Sequence, residues 1–177
     1  MEDEIEYVIY DPLLYLGENS NVGKTRHDGA ELSVSYLWQK YLKIYGNLTY
    51  SKATFEDGAN SKKEMPMAPN RIFNAGLEIY LPHNVTLKPE IRHVSDAYLS
   101  GDNDNNAEKL PAYTLLNVYV QYKPTIDRLK MTVFAGVENL TDTQYCSFGL
   151  DYEQYFMPNF YYPMPGRTFK GGLSLEF

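Results

Sequence analysis

The sequence predicts an all-β fold of antiparallel strands, and three observations support this prediction. Apolar and polar residues alternate with a period of two in eight segments, as in strands whose two faces meet different surroundings. Short and long connections alternate between these segments. No segment shows the period of an amphipathic helix.

Each predicted strand shows the same two-faced pattern. In the last segment Phe169, Leu173 and Leu175 fall on one face, while Lys170 and Ser174 fall on the other. The other segments repeat this alternation, and together they predict one sheet with an apolar face and a polar face. The eight segments are Ile5–Tyr10, Ala30–Tyr36, Leu42–Ser51, Phe73–Leu81, Val85–Arg92, Leu116–Tyr122, Leu129–Glu138 and Arg167–Phe177.

The lengths of the connections predict an up-and-down transmembrane β-barrel. Such barrels have short turns at the periplasmic end and long loops at the extracellular end. The short connections are Trp38–Tyr41, Pro82–Asn84 and Pro124–Arg128. The long ones are Asp11–Gly23, Glu56–Asn70, Ser95–Pro111 and Thr143–Pro165, and they are rich in Gly, Asn, Asp, Pro and Ser.

Charge and composition exclude several classes of function. A net charge of -7 leaves no basic surface for nucleic acid. No apolar run approaches the ~18 residues of a membrane helix. The single cysteine, Cys146, excludes an intrachain disulfide and is interpreted as a free thiol in a loop. The high aromatic content, 15% with 17 Tyr, suits aromatic belts at a membrane boundary or a ligand-binding surface.

The end of the sequence carries a resemblance to a known family. Lys170, Gly172, Leu175 and Phe177 fill the pattern polar–x–Gly–x–x–apolar–x–aromatic, which resembles the terminal sorting signal of outer-membrane barrels. The segments VENLTD at 137–142 and YYPMPGRTF at 161–169, with Tyr145 between them, resemble the closing strands of TonB-dependent receptors. The resemblance covers about residues 20–177.

This resemblance implies a function and a set of partners. TonB-dependent receptors are plugged outer-membrane barrels of about 22 strands that import iron–siderophore complexes, haem, cobalamin and some sugars. By resemblance, residues 1–177 would form the carboxyl-terminal portion of such a barrel, about eight strands of it, without the plug domain. The implied partners are outer-membrane lipid, the TonB energy-transducing complex acting through the plug, the barrel-assembly machinery, and a ferric siderophore, haem or cobalamin as cargo.

Two other interpretations stay open from the sequence. Eight strands could close into a small outer-membrane barrel with a structural, adhesion or pore role. A soluble β domain could instead bury the apolar faces in a core. The open-edged portion of a larger barrel is favoured, with its polar face toward a water-filled lumen or a plug. The terminal segment MEDEIEYVIY is acidic and lacks the features of a signal peptide, so we expect the chain to be part of a longer exported precursor.

The last long loop holds the candidate binding residues. Aromatic side chains in extracellular loops can hold flat or apolar ligands by stacking and edge contacts. The predicted ligand-contacting residues are Tyr145, Phe148, Tyr152, Tyr155 and Phe156, with loop packing or a lipid-boundary girdle as the alternative role. The run DNDNN at 102–106 departs from the EF-hand pattern and is expected to be a polar loop tip. No catalytic constellation, metal-ligand cluster or cofactor motif stands out, so an enzyme is not predicted.

Overall fold

The computed structural model describes residues 4–11, 16–126, 129–153 and 156–176, and almost all of its regular structure is strand. One short 3-10 turn, Pro82–Asn84, interrupts the strands. The strands are β1 Glu4–Asp11, β2 Leu16–Gly23, β3 Thr25–Trp38, β4 Leu42–Phe55, β5 Arg71–Leu81, β6 Val85–Val94, β7 Tyr113–Tyr122, β8 Thr125–Ile126, β9 Leu129–Glu138, β10 Cys146–Leu150, β11 Phe160–Pro163 and β12 Thr168–Glu176.

Seven long strands form one antiparallel sheet in the order β12-β9-β7-β6-β5-β4-β3. Each strand lies beside the next long strand of the chain. Short connections join β3 to β4, β5 to β6 and β7 to β9, and long connections join the pairs between them. The two-residue strand β8 pairs only with the start of β9. The all-β, up-and-down architecture predicted from the alternation is therefore confirmed.

The register keeps most of the apolar residues of the seven strands on one face, which we term the outer face. Trp38 lies opposite Leu42, and Leu42 lies opposite Ile79. At the far side of the sheet, Val133 lies between Tyr122 and Leu173. Because side chains alternate between faces, one such pair determines on which face all the remaining residues of its two strands lie.

No second layer covers the outer face within the described part of the chain. Phe169 is 76% exposed, Leu173 60% and Leu32 61%. Val133 is 37% exposed, and Leu77 and Val118 are only partly covered. A soluble domain would bury these side chains against a facing sheet, so the two-layer interpretation fails. None of the described helices is long and apolar enough to cross a membrane.

The buried residues lie in and beside the long loops rather than along the sheet. Ala53, Phe55 and Met65 form one buried cluster where the connection 56–70 folds over the inner face of β4. Leu99 is fully buried in the connection 95–112. The strands thus form a wall with little core of its own, and compact packing is confined to the end of the sheet where the long loops lie.

The structure differs from the sequence prediction at two places. The predicted long connection 11–23 contains β2, which pairs with β1 in a separate hairpin. The connection 143–165 contains a second hairpin, β10–β11. β2 reads LGENSNVG, with too few apolar residues to show alternation. Backbone hydrogen bonds to β1 hold β2 in place. Backbone hydrogen bonds do not depend on the alternation of apolar and polar side chains, so the sequence does not reveal this strand.

The seven-strand sheet is open. β3 and β12 are its two terminal strands, and they do not pair with each other in the described structure. A small closed barrel would require that pairing, so the alternative of a closed eight-strand barrel finds no support. The sheet instead has the form of a section of a larger barrel wall.

Candidate functional site: the loop cap and the inner face

The three long connections 56–70, 95–112 and 139–167 lie at the same end of the sheet and contact one another; we term them the loop cap. Glu64 N donates to Asn105 Oδ1 at 2.7 Å, and Asn105 Nδ2 donates to Glu64 O at 2.8 Å. Ser100 N donates to Gly149 O at 2.9 Å. These bonds link each connection to the next, so the loop cap is one packed unit rather than three separate loops.

Leu99 is the apolar centre of this unit. Its side chain has no exposed surface and lies against Gly149 of β10. A Cβ atom at Gly149 would come within 2.6 Å of Leu99 Cδ2, so only glycine allows this approach. The contact joins the middle connection to the β10–β11 hairpin.

Asp102 is buried beneath the loop cap, contrary to the expectation of an exposed loop tip at 102–106. It has no exposed surface, and its carboxylate accepts hydrogen bonds from Asn106 N at 2.8 Å and Ala107 N at 3.2 Å. Burial raises its pKa to about 6, with further upward contributions from Asp104 and Asp151, against the two backbone hydrogen bonds. Burial also raises the pKa of Asp151.

These acids hold the turn and do not form a metal site. No group of three or more His, Cys, Asp or Glu side chains has metal-binding geometry among the residues that the structure describes. Asp102 uses both oxygens on backbone N–H groups of its own loop. Its local sequence, in which an Asp is followed by small polar residues, is typical of a side chain that closes a turn on its own backbone.

Among the described residues that were predicted to contact ligand, Tyr145 is the one that lines a pocket. Its ring stacks on Tyr113 at a centroid distance of 4.5 Å and an interplanar angle of 37°. Burial, followed by the nearby Tyr113, raises the pKa of the Tyr145 hydroxyl. Tyr113 projects from β7 on the face opposite Thr114, so this ring pair stands on the inner face at the entrance to the loop cap.

A pocket of about 620 Å³ opens beside Tyr145. This volume is within the usual range for small-molecule sites, about 300–1,000 Å³. Its walls combine aromatic, sulfur-containing and charged side chains. They include Tyr145, Tyr161, Cys146, Met164, Glu108, Lys109 and Asp142.

The pocket contains residues that the sequence did not single out for binding. Lys109 forms an ion pair with Asp96 at 3.1 Å and lies 4.3 Å from the centre of the Tyr98 ring. Met164 reaches the pocket because its N–H donates to Tyr145 O at 3.0 Å. No local pattern signals these positions, because they meet only when the hairpin β10–β11 folds back toward the start of β7.

The other predicted aromatic residues are spread over the hairpin. Phe148 packs edge-on against Tyr162 at 5.4 Å. Tyr152 is buried, 4% exposed, with its ring edge-on to Phe160 at 5.2 Å. Phe156 is fully exposed, and Tyr155 lies outside the described residues. Of the four described residues, the structure brings only Tyr145 to the pocket, and ligand contact by any of the five stays a prediction.

The inner face carries a first polar network across β4, β5 and β6. Tyr45 Oη donates to Glu90 Oε1 at 2.6 Å, crossing above Gly76 of the strand between them. A Cβ atom at Gly76 would overlap the Tyr45 ring. Beside this bond, Lys43 and Lys88 lie 3.6 and 3.7 Å from Glu78. Opposite charges are thus matched across neighbouring strands, as in a wet or covered surface rather than a lipid-facing one.

A second polar network lies on β7, β9 and β12. Tyr119 Oη donates to Glu138 Oε1 at 2.8 Å, and Lys170 Nζ lies 2.7 Å from the same oxygen. Tyr119 leans over Gly136, its direct cross-strand partner. The same arrangement of an aromatic ring over a paired glycine occurs at three places on the inner face: Tyr45–Gly76, Tyr119–Gly136 and Phe134–Gly172.

The predicted sorting residues occupy both faces of β12. Lys170 points inward to Glu138, and Gly172 lies beneath the Phe134 ring. Leu175 is on the outer face opposite Met131 and is 44% exposed. Phe177 lies outside the described residues. The three described positions each have a structural contact, and the sorting role stays a prediction.

Comparison with known proteins identifies the family. The family model "TonB dependent receptor-like, beta-barrel" matches residues 3–140. The chain belongs to this family. Its membership agrees with the open sheet, the exposed outer face and the charged inner face, and it places the chain in the outer membrane as a β-barrel portion.

Solved TonB-dependent receptors share the fold. The ferric preacinetobactin receptor BauA from Acinetobacter baumannii is 21% identical with a TM-score of 0.73, over 99% of this chain and 26% of that one. The ferric yersiniabactin uptake receptor FyuA from Yersinia pestis is 20% identical with a TM-score of 0.71, over 90% and 25%. The copper transporter OprC is 22% identical with a TM-score of 0.73, over 97% and 27%.

Two conclusions follow from these matches. The chain spans about a quarter of the length of these receptors, which agrees with a section of barrel wall. The family consists of receptors and transporters rather than enzymes.

Proposed function

We propose that the chain forms part of the wall and of the capture surface of an outer-membrane receptor that imports a ferric siderophore or a similarly scarce nutrient. The observation that carries the proposal is the pocket beside Tyr145, which lies where the loop cap meets the inner face. A cargo bound there would stand at the entrance to the polar side of the wall, not at the lipid.

The chemistry of the pocket favours a cargo with a flat, partly apolar part and polar substituents. Tyr145 and Tyr161 offer ring faces and hydroxyls, and Met164 offers a polarizable surface. Lys109 supplies a positive charge to the pocket lining, and Glu108 and Asp142 supply negative charges. Aromatic siderophores and haem have such a composition, whereas a bare metal ion would find no ligand cluster among the described side chains.

The inner face supplies a charged path below the pocket. In the networks around Glu78 and Glu138, lysines and tyrosine hydroxyls balance the acids. The inner face is therefore polar and can be hydrated, but these networks give it no large net charge of one sign. A plug domain with its TonB-coupling segment would contact this face, and the inner-membrane complex would supply the energy for import. In this proposal residues 1–177 contribute wall and capture loops, while the plug lies elsewhere in the protein.

The terminal strand would serve assembly rather than transport. Lys170, Gly172, Leu175 and Phe177 would present the sorting signal to the barrel-assembly machinery. Lys170 and Gly172 also hold inner-face contacts in the folded wall. The same residues can therefore act first in recognition and then in packing.

Uptake by the full-length protein tests the proposal. Cells that express it are supplied with labelled ferric siderophores, haem or cobalamin, and uptake of each label is measured. We expect transport of one cargo class only. Tyr145→Ala and Tyr161→Ala each remove a pocket ring and should weaken binding of that cargo about tenfold, a loss expected for one aromatic contact. Phe148→Ala and Phe156→Ala test whether the hairpin tip also contributes.

Tyr41→Ala is the matched control, since Tyr41 is 52% exposed in a short turn at the opposite end of the sheet. It should leave cargo affinity unchanged. Equal uptake by the Tyr145 and Tyr161 variants and the parent, at equal surface amounts, would remove the pocket from the capture site. Absence of transport of all three cargo classes would count against the receptor function itself.

A further inference from the structure

The upper margin of the outer face carries positive charge that the protein itself does not balance. Here "upper" denotes the end of the sheet that bears the loop cap. The last fully apolar row across β3, β4 and β5 is Leu32, Leu48 and Phe73. The next row holds Ala30, Tyr50 and Arg71, and one row higher Lys52 lies opposite Asp28. Arg71 and Lys52 therefore stand on the lipid-facing side, directly above the apolar band.

The spacing of these two cations suits one ligand. Arg71 is the cross-strand partner of Tyr50, and Lys52 lies two residues beyond Tyr50 on β4. Such diagonal neighbours are about 7–8 Å apart along the sheet surface. Lys52 lies about 7 Å above the Tyr50 row at the usual rise of a strand. The half-exposed Tyr50 ring, 50% exposed, stands between them.

Neither cation has a partner in the described part of the protein. Both side chains are exposed, and no ion pair or side-chain hydrogen bond joins the Lys52 ammonium or the Arg71 guanidinium to a described residue. Asp28 is the nearest acid in register, but its Oδ2 is bound by Arg26 Nε at 2.5 Å. Within the strands of the sheet it is the only described carboxylate on the outer face above the band. A second acid, Glu64, bridges to Thr54 beside this patch, and its Oε2 accepts a hydrogen bond from Asn70 Nδ2 at 3.3 Å.

The neighbouring loop leaves this patch uncovered. The connection 56–70 folds toward the inner face, where Met65 packs on Ala53 and Phe55. The segment 63–65 pairs with the end of β4, where Phe55 N donates to Lys63 O and Met65 N donates to Ala53 O. Residues 53 and 55 alternate in direction with Lys52, so the buried Met65 side chain lies on the face opposite Lys52. The outward cations are thus free to meet whatever surrounds the barrel at this height.

We propose that Lys52 and Arg71, with Tyr50, form a binding site for the phosphate group of a phosphorylated glycolipid in the outer leaflet of the membrane. Aromatic side chains mark the interface between hydrocarbon and headgroups, and both cations lie at or just above Tyr50. The Arg71 guanidinium can hold two phosphate oxygens in a fork, and Lys52 adds a point charge. Tyr50 offers a ring edge to the sugar or the first part of an acyl chain.

The test compares lipids that differ only in phosphate. The full-length protein, purified in detergent without bound glycolipid, is incubated with labelled bisphosphorylated lipid A or with its dephosphorylated form, and bound lipid is counted per protein. We expect stronger binding of the phosphorylated form, weakened by salt because the contact is ionic. Lys52→Gln with Arg71→Gln should lower that binding at least about threefold and leave the dephosphorylated form unchanged.

Matched variants separate this site from general charge effects. Lys40→Gln with Lys123→Gln removes the same charge from exposed turns at the opposite end of the sheet and should change nothing. Lys52→Arg should retain binding, since it keeps the charge. If the double glutamine variant fails to fold, the wild-type protein still tests the proposal. It should bind the phosphorylated lipid more strongly than the dephosphorylated one, and salt should weaken that binding.

Three results would overturn the proposal. These are equal binding of the two lipids by the wild type, equal loss in the Lys40 and Lys123 control, and unchanged binding in the folded Lys52 and Arg71 variant. A change of oligomer size in that variant, without a change in lipid binding, would assign the patch to a second copy of the protein instead.

Discussion

The wall and the loop cap of this protein are stabilised in different ways. Leu173 in the wall is 60% exposed, whereas Leu99 in the loop cap has no exposed surface. Strand pairing holds the wall together, and its apolar side chains meet lipid. The loop cap instead packs on itself through Leu99, Gly149 and Asp102. In the described part of the chain, the packed interior therefore lies at the end of the sheet that bears the loop cap.

This difference predicts how each region responds to change. Lipid can fill a gap left on the outer face, because acyl chains are fluid. Acyl chains cannot fill a gap left at Leu99 in the loop cap, because that position is closed off from the surroundings. Substitutions of the same type should consequently cost more in the loop cap than in the wall.

The largest effect is expected for Leu99→Ala compared with Leu173→Ala. Leu99→Ala should lower the free energy of opening of the loop cap by about 2–4 kcal/mol, because it loses both transfer energy and packing around a cavity. Leu173→Ala should lower the free energy of unfolding of the wall by about 1–2 kcal/mol, since it loses only the free energy of transferring a few methylene groups from water to lipid. Hydrogen exchange of residues 97–102 measures the effect of Leu99→Ala on the loop cap. Denaturant unfolding of the full-length protein in lipid measures the effect of Leu173→Ala on the wall. Equal costs would show that lipid does not fill the outer gap.

A smaller effect, confined to the wall, is expected at two adjacent glycines. A Cβ atom at Gly172 would overlap the Phe134 ring, so Gly172→Ala should cost about 1–3 kcal/mol and slow assembly. Gly171→Ala is the control, since its Cβ atom would meet only Phe134 O at 3.5 Å. Heat-stable migration of the full-length barrel on gels measures assembly.

The double variant Gly172→Ala with Phe134→Ala distinguishes packing from recognition. If the ring clash causes the defect, removal of the ring should restore assembly. If the double variant stays defective, Gly172 acts through the assembly machinery rather than through its contact in the folded wall.

The smallest effect is a pH dependence confined to the loop cap. The pKa of Asp102 is raised from 3.8 to about 6 by burial, so the folded loop holds the proton more tightly than the open loop does. Its stabilising contribution is complete below pH 3.8 and is lost as the pH rises through about 6. Hydrogen exchange at 98–107, corrected for intrinsic rate, should show roughly tenfold less protection at pH 7 than at pH 4.

Asp102→Asn should remove that dependence, because an amide mimics the protonated acid. Glu108→Gln changes an exposed carboxylate of the same connection and should leave the dependence intact. A pH profile unchanged in the Asp102 variant would assign the titration to another group.

The sequence predicted the wall well because each strand carries its own evidence. The alternation around Leu32, Leu77 and Val133 is local, and the structure places all three on the outer face as predicted. The connection 11–23 was predicted as a loop because the backbone pairing of β2 leaves no side-chain period. The hairpin β10–β11 was hidden in the same way inside the last long loop.

The candidate site was less predictable. Tyr145 was singled out by loop composition, and the structure places it in the pocket. Tyr152 was chosen on the same ground, yet it is buried against Phe160. The composition of a loop shows which residues it contains, but it does not show whether their side chains point into a pocket or into the loop's interior. Lys109 and Met164 come from distant parts of the chain, so no sequence window contains both.

By itself, the sequence determined the strands, their two faces and the end of the sheet at which the loops lie, because alternation and connection length are properties of short segments. Only the tertiary structure decided that the sheet stays open, that three loops share one interior around Leu99, and that rings lean over paired glycines. These features depend on contacts between residues far apart in the chain. Such contacts form only when strand register and loop packing are satisfied together.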